Sequence, residues 1–155
     1  MFNRQSSAGD ICTRIVSIAF PTLAVDEAAR VLQEQNVGCL VVVEEDSPDE
    51  RRVVGMLTDR DIAVGVVAAQ RDATPLRVGD LMSRSVVTVR EEDSVLDILA
   101  VMRQRAVRRA PVVGARDRLI GIVSIDDVLE LVAEEMQALA KAIGASQRHD
   151  PVLTS

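Results

Sequence analysis

The sequence predicts a mixed α/β (α+β) fold in which two β-α-β-β-α repeats pack with pseudo-twofold symmetry. Three observations carry that expectation. The chain of 155 residues matches itself: displaced by 70, GDICTR (9–14) lies on GDLMSR (79–84), and Val16, Val25, Val37, Val42 and Val43 lie on Val86, Val95, Val107, Val112 and Val113. Beyond that point the displacement becomes 66, and GMLTDRDI (55–62) lies on GIVSIDDV (121–128). Within each copy the apolar period changes between helical and strand spacing. A copy of about 60 residues buries too little apolar surface to be stable alone, so two copies are expected to share a core.

The elements follow in order. A strand is expected to open each copy, ahead of its first helix. Val25, Ala28, Ala29 and Leu32 recur at helical spacing, as do Val95, Ile98, Leu99 and Met102. CLVVV (39–43) and APVV (110–113) are short, Val-rich and read as strands. A polar turn leads into VVGML (53–57) or LIGIV (119–123), which completes a hairpin. The change of displacement falls in the polar segments EEDSPDERR (44–52) and GARDR (114–118), where a surface loop changes length cheaply. A second helix starts near Asp59 and near Ile125; the latter runs to about Ile143 and carries an apolar stripe through Val128, Leu131, Val132, Met136, Leu139 and Ile143. RDATPLR (71–77) contains Pro75 and links the copies. The boundaries are repeat 1 at 9–70, linker at 71–78, repeat 2 at 79–143 and a polar tail at 144–155.

Composition excludes several classes. Apolar residues make up 48% of the chain and aromatics 1%, so the core is aliphatic. A net charge of -6 argues against a nucleic-acid backbone as partner, and the absence of Trp and Tyr removes platforms for base stacking. Cys12 and Cys39 sit among apolar neighbours outside any CxxC pattern, and read as small buried thiols in a reducing compartment. Ile15 to Val25 mimics a signal-peptide core but belongs to the repeat. With no apolar run of about 18 residues, a cytoplasmic location without membrane insertion is expected. A membrane-surface role for the last helix is disfavoured by Glu130, Glu134 and Glu135.

The polar residues kept by both copies are Thr58 with Asp61 and Ser124 with Asp127. By themselves these fit a capping box, in which the hydroxyl accepts a backbone N–H three residues on and an acidic first turn suits the helix dipole. A second role is open: a carboxylate can accept hydrogen bonds from two adjacent ribose hydroxyls, and Asp recurs where a cap would equally take Glu or Gln. Helix starts also offer N–H groups to a phosphate. Arg60 is either an added cation there or a solvated partner of Asp59 or Asp46, and Arg108 and Arg109 have the same choice with Glu91 and Glu92. No metal site is expected: Asp126 and Asp127 are adjacent and diverge, EF-hand spacing is missing, and the one histidine, His149, lies in the tail QRHDPVLTS (147–155). A Ser–His–Asp triad would depend on that tail residue, and neither GxGxxG nor a P-loop occurs, so no catalysis is expected.

MSRSVVTV (82–89), the helix through Met102, VRRAPVV (107–113) and LIGIVSIDDV (119–128) resemble a CBS domain, named after cystathionine β-synthase. NVGCLVVV (36–43) and VVGMLTDRDI (53–62) resemble a second, so the chain looks like a tandem pair, a stand-alone Bateman module, over roughly residues 9 to 143. The resemblance implies a regulatory module, not an enzyme, that binds an adenine nucleotide such as AMP, ADP or ATP between its repeats as a ligand, with no obligatory cofactor. It implies ribose and phosphate contacts from Thr58, Asp61, Ser124 and Asp127, further phosphate contacts from Arg60, Arg108 and Arg109, and an adenine pocket against the first strand of a repeat, placed at Arg14, Ile15, Val16 and Ser17 or Arg84, Ser85, Val86 and Val87. The first copy departs from the pattern, with Gly38 and Cys39 where the second has Arg108 and Arg109. A homodimer signalling to an effector protein in trans is implied. The alternative is a structural dimeric module whose nucleotide sites are empty or degenerate.

Overall fold

A computed structural model describes residues 6–148. The chain runs α1 (Ala8–Ile11), β1 (Ile18–Ala19), α2 (Val25–Gln35), β2 (Cys39–Ser47), β3 (Glu50–Thr58) and α3 (Asp59–Ile62), the last continuing as a π-helix over Ala63–Ala68. The second copy repeats this as α4 (Val78–Leu81), β4 (Val89–Arg90), α5 (Val95–Arg105), β5 (Arg109–Val113), β6 (Leu119–Ser124) and α6 (Ile125–Arg148). Two three-stranded sheets result, ordered β1-β2-β3 and β4-β5-β6. In each, the first strand is parallel to the second and the last two form an antiparallel hairpin.

The helices lie where the apolar spacing puts them. Val25, Ala28 and Leu32 of α2 are buried, as are Val95, Ile98 and Met102 of α5, while Ala29 and Leu99 are half-buried. Both helices end in a left-handed residue, Asn36 (φ 52°) and Ala106 (φ 53°). The N–H of Val37 then returns to the Leu32 carbonyl and that of Val107 to the Met102 carbonyl, each 3.1 Å away, satisfying carbonyls the helix leaves open.

Three expectations are corrected. The first strands are only two residues long and lie later than placed, because just Ile18–Ala19 and Val89–Arg90 reach the ladder; 14–17 forms no regular element and leads into β1. The polar segment 44–52 is mostly strand rather than loop, since Glu44 faces Arg52 and Glu45 faces Arg51 across the hairpin. Arg52 pairs with Glu44 at 2.9 Å and Asp46 at 3.0 Å, and Arg51 with Glu45 at 3.4 Å, so opposite charges fit the ladder. Finally, α6 continues through Arg148. His149 and the rest of the tail to 155 lie outside the described residues.

The copies also exchange their leading segments, which no spacing revealed. Ala8 of α1 donates to the Asp93 carbonyl (2.8 Å), and is fully buried in the cluster of Val89, Val95, Ile98 and Val112. Reciprocally, Val78 of α4 donates to the Leu23 carbonyl (2.9 Å) and joins Ala28, Leu40 and Leu57 together with Met82. Each hydrophobic core is therefore completed by the other copy. The exchange explains one glycine in each motif: a Cβ at Gly121 would stand 2.6 Å from both Cys12 Sγ and the Thr13 carbonyl oxygen, and one at Gly55 would stand 2.7 Å from Met82 Sδ and 2.9 Å from the Ser83 carbonyl oxygen. Backbone bridges Thr13–Ile122 and Ser83–Met56 lock the crossing on either side.

Candidate functional site

The exchange builds a cleft that neither copy makes alone. Thr13, Ile15, Val16 and Ser17 of the first copy's approach face Ile122, Ser124, Asp126 and Asp127 of the second across a cavity of about 320 Å³. Val37, Cys39 and Val41 form its apolar side, and Arg109 stands at its edge. Arg14, at a bend between Thr13 and Ile15, lies instead at a separate cavity of about 760 Å³ lined by Val16, Ile18, Glu45, Asp49, Arg51 and Ile120. There its guanidinium donates to the Gly9 carbonyl at 2.8 Å, as Arg84 does to Gly79 at 3.3 Å. Both arginines thus hold the turn before them.

The two helix starts are built alike. Asp127 N–H donates to Ser124 Oγ (3.2 Å) while Ser124 N–H donates to Asp127 Oδ2 (2.9 Å). Asp61 N–H donates to Thr58 Oγ1 (3.1 Å) and Thr58 N–H to Asp61 Oδ2 (2.9 Å). The capping reading is therefore realised at both. Each box occupies one carboxylate oxygen, and Oδ1 of Asp61 and of Asp127 receives no hydrogen bond among the described residues. Aspartate in this role is common in the chain: Asp97 closes on Ser94 in the same way, and Asp10 accepts from both the N–H and the hydroxyl of Ser7. Recurrence of Asp is thus no sign of a ligand by itself, because a short carboxylate suits this turn wherever it occurs.

Phosphate donors are scarcer than helix starts suggest. Ile125 N–H is taken by the Arg108 carbonyl (2.7 Å) and Asp59 N–H by the Gly38 carbonyl (3.0 Å). Arg60 N–H is taken by Asp59 Oδ1 (2.8 Å). The expectation that these termini present N–H groups to an anion is corrected for α3, where hydrogen bonds within the chain take every N–H from Thr58 to Asp61; at α6 they leave the Asp126 N–H.

The cationic side chains separate. Arg109 lies opposite Ser124 in the β5–β6 ladder, and its Nη1 reaches Cys39 Sγ at 3.5 Å. Cys39 in turn lies opposite Thr58, so Thr58, Cys39, Arg109 and Ser124 form a row across the pseudo-twofold axis. Arg108 is exposed and does not line the cleft, and Arg60 is exposed in the first turn of α3. The other partners suggested for them are engaged elsewhere, Asp46 with Arg52 and Glu92 with Arg90. On the first-copy side, Arg84 and Val86 line a small pocket of about 170 Å³ with Val53, Val54, Thr88 and Asp117. Ser85 is exposed and Val87 half-buried on the same segment, and Thr58 and Asp61 are half-buried.

Sequence reasoning missed Thr13, Val37, Cys39, Val41, Ile122 and Asp126 as cleft residues. Thr13 had a signal, since a small hydroxyl recurs at Ser83 just before the repeated arginine. Both thiols are unpaired with each other; Cys39 is buried, and burial pushes the half-buried Cys12 thiol up. Among the described residues no three His, Cys, Asp or Glu side chains converge to hold a metal, and no helix is long and apolar enough to cross a membrane.

The chain matches the family model of the CBS domain twice, over residues 8–67 and 78–134. It is 37% identical over 125 residues to the CBS domain-containing protein YhcV of Bacillus subtilis, covering 80% of this chain and 84% of that one. It is 33% identical over 129 residues to the protein MK0525 of Methanopyrus kandleri, covering 83% of this chain but 63% of that longer relative. The crystal structure of Hypoxic Response Protein I with two coordinated zinc ions superposes with a TM-score of 0.71 at 32% identity, over 81% of this chain and 98% of that one. The CBS domain pair of protein MJ0100, in complex with 5′-methylthioadenosine and S-adenosyl-L-methionine, gives 0.68 at 26% identity, with coverage of 84% and 98%. CBSX2 in complex with AMP gives 0.69 at 26%, also with coverage of 84% and 98%. Two family matches in tandem, the shared architecture of these pairs and the duplicated helix-start motif lead to one conclusion: this chain belongs to the CBS-domain family and is a tandem CBS-domain pair.

Proposed function

We propose that the chain is a regulatory sensor that takes an adenosine-containing nucleotide, AMP, ADP, ATP or a similar compound, into the cleft between its copies. The observation that carries this reading is the meeting of Thr13, Ile15, Val16 and Ser17 with Ser124 and Asp127 around one cavity. Its apolar side suits an adenine ring, and the open oxygen of Asp127 suits a ribose hydroxyl. Adenosine compounds held by CBSX2 and by the MJ0100 pair support the ligand class. Because each core is shared between copies, a ligand gripping both biases their relative pose, and an effector protein reads that pose in trans. The chain acts as a cytoplasmic homodimer. Leu129, Met136, Leu139 and Ile143 of α6 remain exposed and offer helical surface for a second chain.

A thermal-shift panel of AMP, ADP, ATP, S-adenosylmethionine, NAD and cyclic dinucleotides tests the reading. Ligand at 100 times its Kd stabilises the folded state by about 2.7 kcal/mol, which raises Tm by about 5–10 °C at this size. No shift with any adenosine compound overturns it. The alternative, a dimeric interaction module with empty sites, draws on the consumed N–H groups and on Cys39 standing where the second copy has Arg109. It predicts dimerisation without any ligand response.

A further inference from the structure

Resting on that reading, we infer that the cleft at Ser124 and Asp127 is a nucleoside site selective against phosphate, taking adenosine derivatives whose 5′ substituent is neutral or cationic. Its charged lining is Asp126, Asp127 and Arg109, two carboxylates against one guanidinium. The guanidinium is directed toward Cys39. Three of the four backbone donors at the start of α6 are occupied, Ser124 N–H by Asp127, Asp127 N–H by Ser124 and Ile125 N–H by the Arg108 carbonyl, which leaves a phosphate only the N–H of Asp126, beside that residue's own carboxylate.

Asp126 makes no ion pair among the described residues, and its carboxylate stands in the first turn that an anion would approach. The repeat sharpens the contrast. The position equivalent to Asp126 is Arg60, so the two helix starts carry opposite charge at the same point. A volume of about 320 Å³ lies at the low end of ligand pockets, about 300–1,000 Å³. It accommodates a nucleoside more readily than a nucleoside triphosphate. A sulfonium or thioether at the 5′ carbon would meet Asp126 favourably or neutrally, where a phosphate meets like charge.

Isothermal titration of the full chain with 5′-methylthioadenosine, S-adenosylmethionine and AMP, in wild type, Asp126→Asn, Asp126→Ser and Asp127→Ala, tests this. Expected are tighter binding of the two uncharged-or-cationic compounds than of AMP, loss of that binding in Asp127→Ala, and a fall of about fivefold in the ratio of AMP Kd to 5′-methylthioadenosine Kd in both Asp126 variants. The fall shrinks as salt is raised. Wild-type AMP binding that is tighter than that of 5′-methylthioadenosine and depends on Asp127 overturns the selectivity while leaving the nucleotide-sensor reading intact. An unchanged Kd ratio in the Asp126 variants does the same. Failure of every adenosine compound to bind overturns both.

Discussion

Replacing Asp127 with alanine separates a cap from a clamp. The substitution removes the 2.9 Å bond from Ser124 N–H and leaves that donor without its carboxylate partner. Loss of a helix cap costs about 1 kcal/mol, which lowers Tm by about 2–4 °C for a chain of this size. If Oδ1 also accepts a ribose hydroxyl, a charged hydrogen bond of about 1.5–3 kcal/mol disappears from the complex, and Kd rises by about 10–100-fold. The chain supplies its own control in Asp97, which closes the same box on Ser94 at the start of α5 and does not line the cleft. Asp97→Ala should lower Tm in the same direction and leave Kd unchanged. Melting without ligand gives the first readout and titration calorimetry the second. If Asp97→Ala and Asp127→Ala are alike in both, the carboxylate is only a cap and its proposed contact with ribose is refuted.

Two further predictions concern the scaffold. Gly121→Ala and Gly55→Ala place a methyl group within 2.6–2.7 Å of Cys12 Sγ and Met82 Sδ, so each should lose about 1–3 kcal/mol in urea denaturation. Gly144→Ala, whose added Cβ meets only Arg148 Nη2 at 3.9 Å, should be neutral or stabilising; equal losses at all three would refute the exchanged-segment packing. The second concerns acid. The carboxyls of Asp10, Asp72 and Asp97 are held below 3.8, chiefly by the backbone N–H groups of Ser7, Thr74 and Ser94. Their folded values are depressed, so their contribution is present above 3.8 and drains away as pH falls through the folded values. Tm should therefore fall as pH is lowered below about 4, and less steeply in an Asp10→Asn, Asp72→Asn, Asp97→Asn variant; identical slopes would exclude these groups.

By itself the sequence determined the duplication, the two longer helices and the hairpin of each copy, and the pairing of Thr58 with Asp61 and of Ser124 with Asp127. These are local: apolar period and cap chemistry act over a few residues and are printed in the order of the chain. Spacing also led to Val25, Ala28 and Leu32 and to Val95, Ile98 and Met102 as core positions, because a helix buries one face whatever lies against it. The tertiary structure alone decided which copy meets which. Ala8 and Val78 cross to the opposite sheet, and that crossing places Thr13 and Ser17 against Ser124 and Asp127 rather than against their own copy's helix start. The same structure holds Arg14 outside the cleft, brings Arg109 to Cys39, and gives the N–H groups of Asp59 and Ile125 to carbonyls of their own copies. Hydrophobic pattern marks Ala8 and Val78 as apolar without saying which sheet they cover. The steric demand at Gly55 and Gly121, a contact between segments far apart in the chain, accommodates the exchanged arrangement.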